Sequence, residues 1–406
     1  MKSVPAVLRD RYPHIRFARH WEIGSDVHYQ LGQCDAVIRS IRETPLSPER
    51  GAELLQVALI KGAQATTAIE GNTLTSEEVQ QVAAGASLSP SKAYQEREVR
   101  NVLDAMNRIL GAVAERGAAP PVSPALVRDF HRQIGRELGE HLDAVPGQLR
   151  TDERVVGPYR CPRAEDVPAL LDLLCDWLRE EFAPGDGPGA FRNAVVQAIV
   201  AHVYIEWIHP FGDGNGRTGR LLEFYLLLRA GNPDVASHIL SNFYNLTRPE
   251  YYRQLDQGRR SRDLTTFIAY AVQGYRDGLL ETLGRIQELQ LETAWRVLVH
   301  DTFAKRPYRK KSVFKRQREL MLQVPLHAAI SLDELPTRTI HLARAYAALT
   351  EKTLVRDVQV LTGMDLIVRD LDTGGYRANL DLLKRRMPRR RPPAVAARST
   401  PARGSV

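Results

Sequence analysis

Residues 202–220 read HVYIEWIHPFGDGNGRTGR, and this stretch carries the strongest structural and chemical signal in the chain. The apolar segment AVVQAIVAHVYIEWI ends at His209-Pro210, and a second apolar segment, RLLEFYLLL, begins at Arg220. Long apolar runs of this kind are typical of helices that are buried on all sides. Three glycines lie within the five positions 212–216 between them. The sequence therefore predicts two core helices joined by a short glycine-rich loop.

The loop also carries side chains that suit phosphate chemistry. Glycines ahead of a helix let backbone N–H groups converge on an anion, and the helix N-terminus adds positive potential. Arg217 and Arg220 are three residues apart, so both can reach phosphate oxygens. Asp213 offers an oxygen ligand for a magnesium ion that already has phosphate ligands. His209 suits a general base, because the ordinary pKa of histidine lies near neutrality.

Two common nucleotide-binding motifs do not describe this loop. The P-loop pattern GxxxxGK[ST] is absent, and a dinucleotide fingerprint would follow a strand rather than an apolar helix. A glycine-rich turn without a ligand is the alternative, but so many polar side chains are costly to place there. His202 lies two helical turns before His209, and we interpret it as a packed or supporting histidine, since no further metal ligands surround it.

The segment HPFGDGNGRTGR resembles the Fic (Fido) family motif HxFx[DE]GNGRxxR and matches each of its fixed positions. The flanking segments AHVYIEWIHPF and LLEFYLLLRAGNP also resemble the helices that enter and leave this motif, and the resemblance runs from about residue 55 to about residue 280. Fic enzymes are mostly helical and usually transfer AMP from ATP-Mg to a hydroxyl side chain of a target protein. The resemblance therefore implies a helical nucleotidyltransferase with ATP and Mg²⁺ as its cofactors.

The family roles can be carried over position by position. His209 is implied as the base that takes the proton of the target hydroxyl, and Asp213 as the magnesium ligand. Arg217 is implied to bind the outer phosphates and Arg220 the γ-phosphate. The remaining implied nucleotide-binding positions of the motif, the first three of which form its anion hole, are Gly214, Asn215, Gly216, Thr218 and Gly219.

A second motif, TTAIEGNTLT at 66–75, places Glu70 just before Gly71-Asn72, which is a helix stop. A carboxylate at a helix C-terminus lies at the unfavourable end of the dipole, and a nearby cation favours such a placement. A surface glutamate is the alternative. The pattern Thr66-x-x-x-Glu70-Gly71 resembles the inhibitory motif [ST]xxxE[GN] that precedes the core in class II Fic enzymes. The resemblance implies that Glu70 pairs with Arg220 and inhibits transfer.

The segment 147–157, GQLRTDERVVG, predicts a short hairpin because it follows Pro-Gly, alternates loosely and ends in Val-Val-Gly. It lies where Fic enzymes have a flap, with 149–157 as its hairpin. The resemblance implies that the flap residues against the adenosine are Arg154, Val155, Val156 and Gly157. Further on, LTRPEYYRQLD resembles the helix that closes the nucleotide pocket, and Tyr251 is the candidate base-side contact. Many relatives have Asn where this chain has Arg259, which departs from the family pattern.

Composition and charge narrow the class of protein. The chain has 406 residues, 43% of them hydrophobic and 26% charged, which excludes a largely disordered chain. No stretch approaches the roughly 18 apolar residues of a membrane-spanning helix, and the first residues are not typical of a secretory signal. The three cysteines form no CxxC pair and no disulfide framework. We therefore expect a cytoplasmic protein without membrane contact.

We expect a mainly α fold with a Fic-type helical core, a small β-hairpin flap and a C-terminal winged helix domain. The predicted parts are an N-terminal helical region 1–110 with an inhibitory helix at about 60–72, a Fic domain 111–295, a linker 296–312, a winged helix-turn-helix-like domain 313–386 and a disordered basic tail 387–406. The linker is predicted because KRPYRKK interrupts the helical pattern.

The C-terminal part is basic, with 22 Lys and Arg against 10 Asp and Glu over residues 301–406. Within it, TEKTLVRDVQVLTGMDLI, Asp-Thr-Gly-Gly and a second apolar stretch predict helix, strand, turn and strand. This order resembles the winged helix segments found after Fic domains, with Lys352, Thr353 and Arg356 on the candidate recognition helix. DNA is therefore a candidate partner of 313–386, and a regulatory or dimerisation module is the alternative.

These observations lead to one hypothesis and two rivals. We expect a protein adenylyltransferase that is autoinhibited by Glu70 and modifies a hydroxyl side chain of a target protein, which includes the chain itself. The first rival is removal of AMP from a target in the same pocket, with Glu70 aligning a water. The second is a DNA-binding regulator whose Fic core senses nucleotide. The target and a homodimeric state stay open.

Overall fold

The computed structural model describes residues 5–116, 119–182, 189–307 and 310–386. The chain divides into two compact units, Met1–Ile286 and Gln287–Val406. The predicted tail 387–406 lies outside the described residues. Among the helices of the described residues, none combines the length and the apolar character that crossing a lipid bilayer requires.

Helices make up most of the first unit, so the mainly α fold class predicted from the sequence is confirmed. The described helices that lie in it or begin in it are α1 (Ala6–Arg11), α2 (Ser25–Glu43), α3 (Pro48–Ile69), α4 (Ser76–Ala83), α5 (Ala93–Arg116), α6 (Pro124–Ile134), α7 (Val167–Glu181), α8 (Ala190–Ile208), α9 (Asn215–Arg229), α10 (Ile239–Leu246), α11 (Arg248–Ser261) and α12 (Thr265–Ala304). The strands β1 (Val155–Val156) and β2 (Tyr159–Arg160) form a small antiparallel hairpin.

The two apolar helices α8 and α9 form the centre of this unit. Every residue of α9 from Asn215 to Leu228 is buried, and so are nearly all residues of α8 from Val195 onwards. Helices α3, α5 and α6 all contact α9. Because α8 and α9 have no solvent-facing side, neither shows the amphipathic pattern of a surface helix. Their connecting loop is consequently held by core helices at both ends.

Helix α3 ends where the sequence places its stop. Its first turn is capped by Ser47, whose hydroxyl accepts a hydrogen bond from the N–H of Arg50. Glu70 follows its last residue, and Gly71 then adopts a φ of +101°, a conformation that glycine adopts without steric cost. The helix stop thereby leaves a carboxylate at the C-terminal end of α3.

The hairpin lies further along the chain than predicted. Val155 pairs with Arg160 and Val156 with Tyr159, so the turn is at Gly157-Pro158 and the strands do not extend back to residue 149. Gly157 has a φ of +56°, which favours glycine at a tight turn. The preceding residues do not pair as strands: the N–H of Arg150 donates to the carbonyl of Pro210, and the Arg150 guanidinium group binds the carbonyl of Asp152.

Two predicted boundaries fall inside helices. The boundary at 110/111 lies within α5, and the predicted linker 296–312 overlaps the end of α12. Residues 296–304 are helical because they present apolar side chains to the core of the second unit, among them Leu298, Val299 and Phe303. The basic stretch KRPYRKK begins only after that helix ends.

The second unit contains α13 (Lys311–Leu322), α14 (Ile340–Ala347), α15 (Glu351–Gly363), β3 (Ile367–Arg369), β4 (Tyr376–Ala378) and α16 (Leu380–Arg386). Strands β3 and β4 are antiparallel, and Ile330 forms an isolated bridge with Tyr376. The order after α13 is therefore a bridge residue, two helices and a hairpin. Leu354, Val358 and Leu361 of α15 pack into the core of this unit.

Candidate active site

The loop between α8 and α9 is held rigidly by its own side chains. His209 ends α8 in the left-handed conformation, with φ 50° and ψ 61°. The Asn215 side chain accepts a hydrogen bond from the N–H of Phe211 and donates one to its carbonyl group, each 2.9 Å long. The Phe211 ring is fully buried. The glycine-rich loop therefore has a defined shape around His209 and Asp213.

His131 of α6 packs against the loop between α8 and α9 and forms a hydrogen bond to it. Its ring stacks on Phe211 with centroids 3.8 Å apart. Its Nδ1 accepts a hydrogen bond from the N–H of Gly147 at 2.8 Å, so Nε2 carries the proton and donates to the carbonyl of Asp213 at 2.9 Å. Burial lowers the pKa of His131 to about 4, which keeps the ring neutral. Nothing in the sequence distinguishes this histidine, because FHRQI has the pattern of an ordinary amphipathic helix.

Arg150 forms hydrogen bonds both to the loop between α8 and α9 and to the segment before the hairpin. It was not among the residues predicted from the sequence. Its guanidinium group is buried and donates to three backbone carbonyl groups. The Nε–H binds the carbonyl of His209 at 2.7 Å, and the two Nη atoms bind those of Asp152 and Pro162. One of several charged residues in GQLRTDER thus fixes the backbone of the candidate base, and nothing in that segment distinguished it from the others.

The N-terminus of α9 lies at the candidate site, next to Glu70. Gly214 precedes it with a φ of +77°, and the first N–H groups of a helix have no partner within the helix. A Cβ atom on Gly216 would clash with Oε1 of Glu70. The Glu70 carboxylate therefore lies directly against the first turn of α9, where an anion is electrostatically favoured.

Glu70 also forms an ion pair with Arg220. The Glu70 Oε1 lies 2.5 Å from Nη2 of Arg220, whose side chain is 1% exposed against 30% for Glu70. Thr66, one helical turn before Glu70, accepts from Nε of the same arginine at 2.7 Å through its hydroxyl. The i, i+4 spacing of Thr66 and Glu70 thus places both side chains on the one guanidinium group.

Arg217 has different partners. It donates to the buried carboxylate of Glu98 on α5, and its Nη2 lies 3.1 Å from Oδ1 of Asp213. The Asp213 side chain keeps 38% of its surface exposed. Among the described residues, no group of three His, Cys, Asp or Glu side chains is arranged to hold a metal ion. Asp213 alone suits a Mg²⁺ ion bound to nucleotide, because phosphate oxygens and waters supply its other ligands.

The surroundings of His209 favour its neutral form. Burial lowers its pKa, the carboxylate of Glu206 opposes this shift, and the charge of Arg150 adds to the lowering. A neutral imidazole is the state that accepts a proton. The geometry and the charge environment of His209 therefore both suit a general base.

A cavity of about 270 Å³ opens beside His209. It is bounded by the hairpin, the end of α8 and α11, and its lining residues are Val156, Gly157, Pro158, Tyr159, Glu206, Trp207, His209, Tyr252, Leu255, Asp256 and Arg259. Of the predicted flap contacts, Val156 and Gly157 line it, whereas Arg154 and Val155 do not. Arg154 instead pairs with Asp143 and Asp152.

Tyr251, the predicted base-side contact, does not line this cavity. Its side chain is fully buried, and the cavity is lined by its neighbour Tyr252. The Tyr251 hydroxyl donates to Glu206 at 3.2 Å and lies 3.0 Å from Nε2 of His202. Since successive residues of a helix point in different directions, the YY pair alone does not determine which tyrosine faces the cavity.

His202 lies in a buried polar cluster behind the site. Its Nδ1 is 3.5 Å from Glu223 and its Nε2 is 3.6 Å from Glu206. Although burial opposes the change, Glu223 raises the pKa of His202. Against the effect of its own burial, the neighbouring His202 helps to lower the pKa of Glu206 to about 2. The cluster therefore keeps a negative charge at Glu206, between His209 and Arg220.

Comparison with known proteins finds relatives for part of the chain. Residues 121–227 match the Fic/DOC family. Protein adenylyltransferase fic-1 of Caenorhabditis elegans is 28% identical over 222 residues, which are 55% of this chain and 41% of the relative. Protein adenylyltransferase Fic of Drosophila willistoni is 32% identical over 168 residues, which are 41% of this chain and 31% of the relative. The chain thus spans less than half the length of these curated relatives.

The fold has a counterpart among solved structures. The crystal structure of a Fic family protein from Desulfovibrio desulfuricans G20 matches with a TM-score of 0.55 and 21% identity, over 89% of this chain and 98% of that chain. This similarity concerns the fold alone. Residues 121–227 thus match the Fic/DOC family, and the chain is similar to curated Fic proteins over that region and its flanks.

Proposed function

We propose that the protein is an adenylyltransferase that transfers AMP from ATP-Mg to a hydroxyl side chain of a protein. One observation carries the proposal: a neutral, buried His209 and the open carboxylate of Asp213 flank a helix N-terminus that bears Arg217 and Arg220. This arrangement offers a base, a ligand for the magnesium ion of the nucleotide and a cradle for phosphates. The names of the curated relatives support the same activity.

The reaction needs little covalent chemistry from the protein. The imidazole of His209 takes the hydroxyl proton while the oxygen attacks the α-phosphorus of ATP. A new P–O bond forms, the bond to the bridging oxygen breaks with its electron pair, and pyrophosphate leaves. The N–H groups of α9 and the two arginines stabilise the charge on the phosphates. Asp213 would hold the magnesium ion, which neutralises part of that charge.

We further propose that Glu70 inhibits this transfer. Its carboxylate lies where an anionic phosphate would otherwise be favoured, and it occupies Arg220. A charge-assisted pair of this kind is geometrically specific. ATP that binds beside it would have its γ-phosphate displaced and its α-phosphate badly aligned for attack.

The activity is tested by intact-mass analysis of the full chain after incubation with ATP and magnesium. We expect the Glu70→Gly variant, or a protein of a lysate incubated with it, to gain the mass of one AMP group. The gain should disappear with AMP in place of ATP, because AMP carries no pyrophosphate leaving group. If neither the chain nor any lysate protein gains AMP, the proposed activity is wrong.

Removal of AMP is a second candidate reaction, because the Glu70 carboxylate is partly exposed at the site and can contact a water. Protein that has been modified by the Glu70→Gly variant provides the substrate for a direct comparison. Loss of the AMP mass on addition of the wild-type chain, and no loss on addition of Glu70→Gly, would assign removal to Glu70. Retention of the AMP with both proteins would leave transfer as the reaction of this site.

For the second unit we propose a winged helix that contacts duplex DNA through α15. Lys352 and Arg356 are exposed on this helix. Asp357 is buried and bound by Arg316 and by the hydroxyl of Tyr346, so its charge does not face a ligand. The succession of α14, α15 and the β3–β4 hairpin supports this proposal, because helix-turn-helix modules place their second helix in the major groove.

A full-chain variant with Lys352→Ala and Arg356→Ala tests this contact. We expect its affinity for duplex DNA to fall by about tenfold at low salt, with a shallower salt dependence, because two phosphate contacts are lost. Fluorescence anisotropy with a labelled duplex measures both quantities. A paired change of Lys310 and Lys315 to Ala, on α13 and just before it, is the control. Equal binding by the wild type and the α15 variant would exclude α15 from the contact.

A further inference from the structure

A buried carboxylate on α5 has no part in the reaction described above. Glu98 is 4% exposed, and it pairs with Arg217, which is 5% exposed. Burying two charges costs free energy unless their remaining hydrogen-bonding atoms are also satisfied. The second oxygen of Glu98 accepts a hydrogen bond from Nδ2 of Asn72 at 3.0 Å. The pair is thus completed by a side chain from the segment that follows α3.

Asn72 is itself held in place on both sides. Its Nδ2 also donates to the carbonyl of Gln95 on α5 at 3.0 Å, and its Oδ1 accepts from the N–H of Leu74 at 3.1 Å. Asn72 lies two residues after Glu70. A continuous series of polar contacts therefore runs from Arg217 through Glu98 to the turn that positions Glu70.

Within the part of the chain that the structure describes, the contacts of Arg217 leave its buried Nε–H unsatisfied. One Nη atom donates to Glu98 and the other to Asp213, whereas its buried Nε–H has no hydrogen-bond partner among the described residues. An arginine loses considerable side-chain entropy when a ligand immobilises it. Glu98 removes that cost in advance, because it holds the guanidinium group before any phosphate binds.

We propose that Glu98 is a positioning residue that orients Arg217 for the outer phosphates of the nucleotide and, through Asn72, couples this arginine to the inhibitory Glu70. The inference rests on the proposed function, since it takes Arg217 as a phosphate ligand. Glu98 touches neither nucleotide nor target and acts only through Arg217 and Asn72. Each arginine of the motif is then controlled by a glutamate. Glu70 blocks Arg220, and Glu98 aligns Arg217.

The first test compares ATP with AMP as ligands of the full chain. Glu98→Gln in the Glu70→Gly background keeps the shape of the side chain but removes its charge. We expect the Kd for ATP-Mg to rise by about tenfold, the factor that corresponds to one side chain no longer immobilised. The Kd for AMP should change by less than about twofold, because AMP has no outer phosphates. Isothermal titration calorimetry measures both.

An equal rise of the Kd for ATP-Mg and for AMP would reduce Glu98 to a structural role. An unchanged Kd for ATP-Mg would also overturn the inference. If Glu98→Gln does not fold, Glu98→Asp replaces it, since the shorter carboxylate withdraws from Arg217 and should give the same selective loss. The proposed function fails separately, and visibly, if the Glu70→Gly parent neither binds ATP-Mg nor transfers AMP.

The second test addresses the coupling through Asn72. Asn72→Ala in the wild-type chain should raise the initial rate of AMP transfer several-fold, because the turn that carries Glu70 loses its attachment to α5. The same change in the Glu70→Gly background should bring no further increase. This non-additivity identifies coupling between the two residues. Equal effects of Asn72→Ala in both backgrounds would contradict it.

Discussion

Glu70→Gly should raise the initial rate of AMP transfer by on the order of a hundredfold or more. The substitution removes the carboxylate that lies against the first turn of α9 and frees Arg220. The γ-phosphate can then occupy that position, and the α-phosphate becomes aligned for in-line attack. Initial rates with labelled ATP at saturating magnesium measure the effect. Glu77→Gly, which changes an exposed glutamate of α4, is the matched control and should leave the rate unchanged.

Arg220→Ala separates this explanation from a general loosening of α3. It removes the partner of Glu70 and the phosphate ligand together, so it should not activate the enzyme. The double variant should therefore behave like Arg220→Ala. An unchanged rate in a folded Glu70→Gly protein would contradict autoinhibition, and an activated Arg220→Ala protein would contradict the assigned role of this arginine.

His209→Ala should produce the second large effect, a loss of transfer by a factor of about 10² to 10⁴ in the Glu70→Gly background. The imidazole acts on the incoming hydroxyl, whereas other groups hold the phosphates. Binding of ATP-Mg should consequently stay within about twofold of the parent, as measured by calorimetry. His300→Ala changes an exposed histidine of the second unit and is the control. A parent-like rate in His209→Ala would show that another group is the base.

The pH dependence of the same reaction provides an independent check on His209. Burial lowers the pKa of this imidazole, so its neutral form persists to lower pH than that of an ordinary histidine. The rate of Glu70→Gly should therefore hold its plateau below pH 6.5 and fall only as the solution becomes more acidic. An acid limb centred above pH 6.5 would mean that a group with a raised pKa controls the rate.

Much of the site is encoded over short distances along the chain. His209, Asp213, Arg217 and Arg220 follow one another within twelve positions, and helix geometry alone brings them to one loop and one helix turn. Thr66 and Glu70 have i, i+4 spacing, which places both on one face of α3. Local chemistry was therefore sufficient to single out the residues of the loop, whereas Thr66 and the role of Glu70 were implied by the resemblance to the Fic inhibitory motif.

Other predictions depended on details that a local pattern leaves open. The hairpin turns at Gly157-Pro158 rather than ending there, and Arg150 in the segment before it binds the carbonyl of Pro210 outside the hairpin instead of pairing as a strand residue. Tyr252 rather than Tyr251 lines the cavity, because the packing of α11 against α8 determines which side of the helix is buried. Residues 296–304 are helical because a core covers their apolar side chains, although a basic stretch follows them.

By itself, the sequence determined a mainly α chain, a glycine-rich loop with a candidate base, and a glutamate at the end of a preceding helix. Only the tertiary structure decided what holds these groups. Glu98 and Arg217 are 119 residues apart in the chain, His131 and Asp213 are 82 apart, and Arg150 and His209 are 59 apart. Such pairs leave no periodic or local signature, since each residue alone resembles an ordinary helix or loop residue. Burial makes their hydrogen bonds obligatory, and burial exists only once the helices have packed.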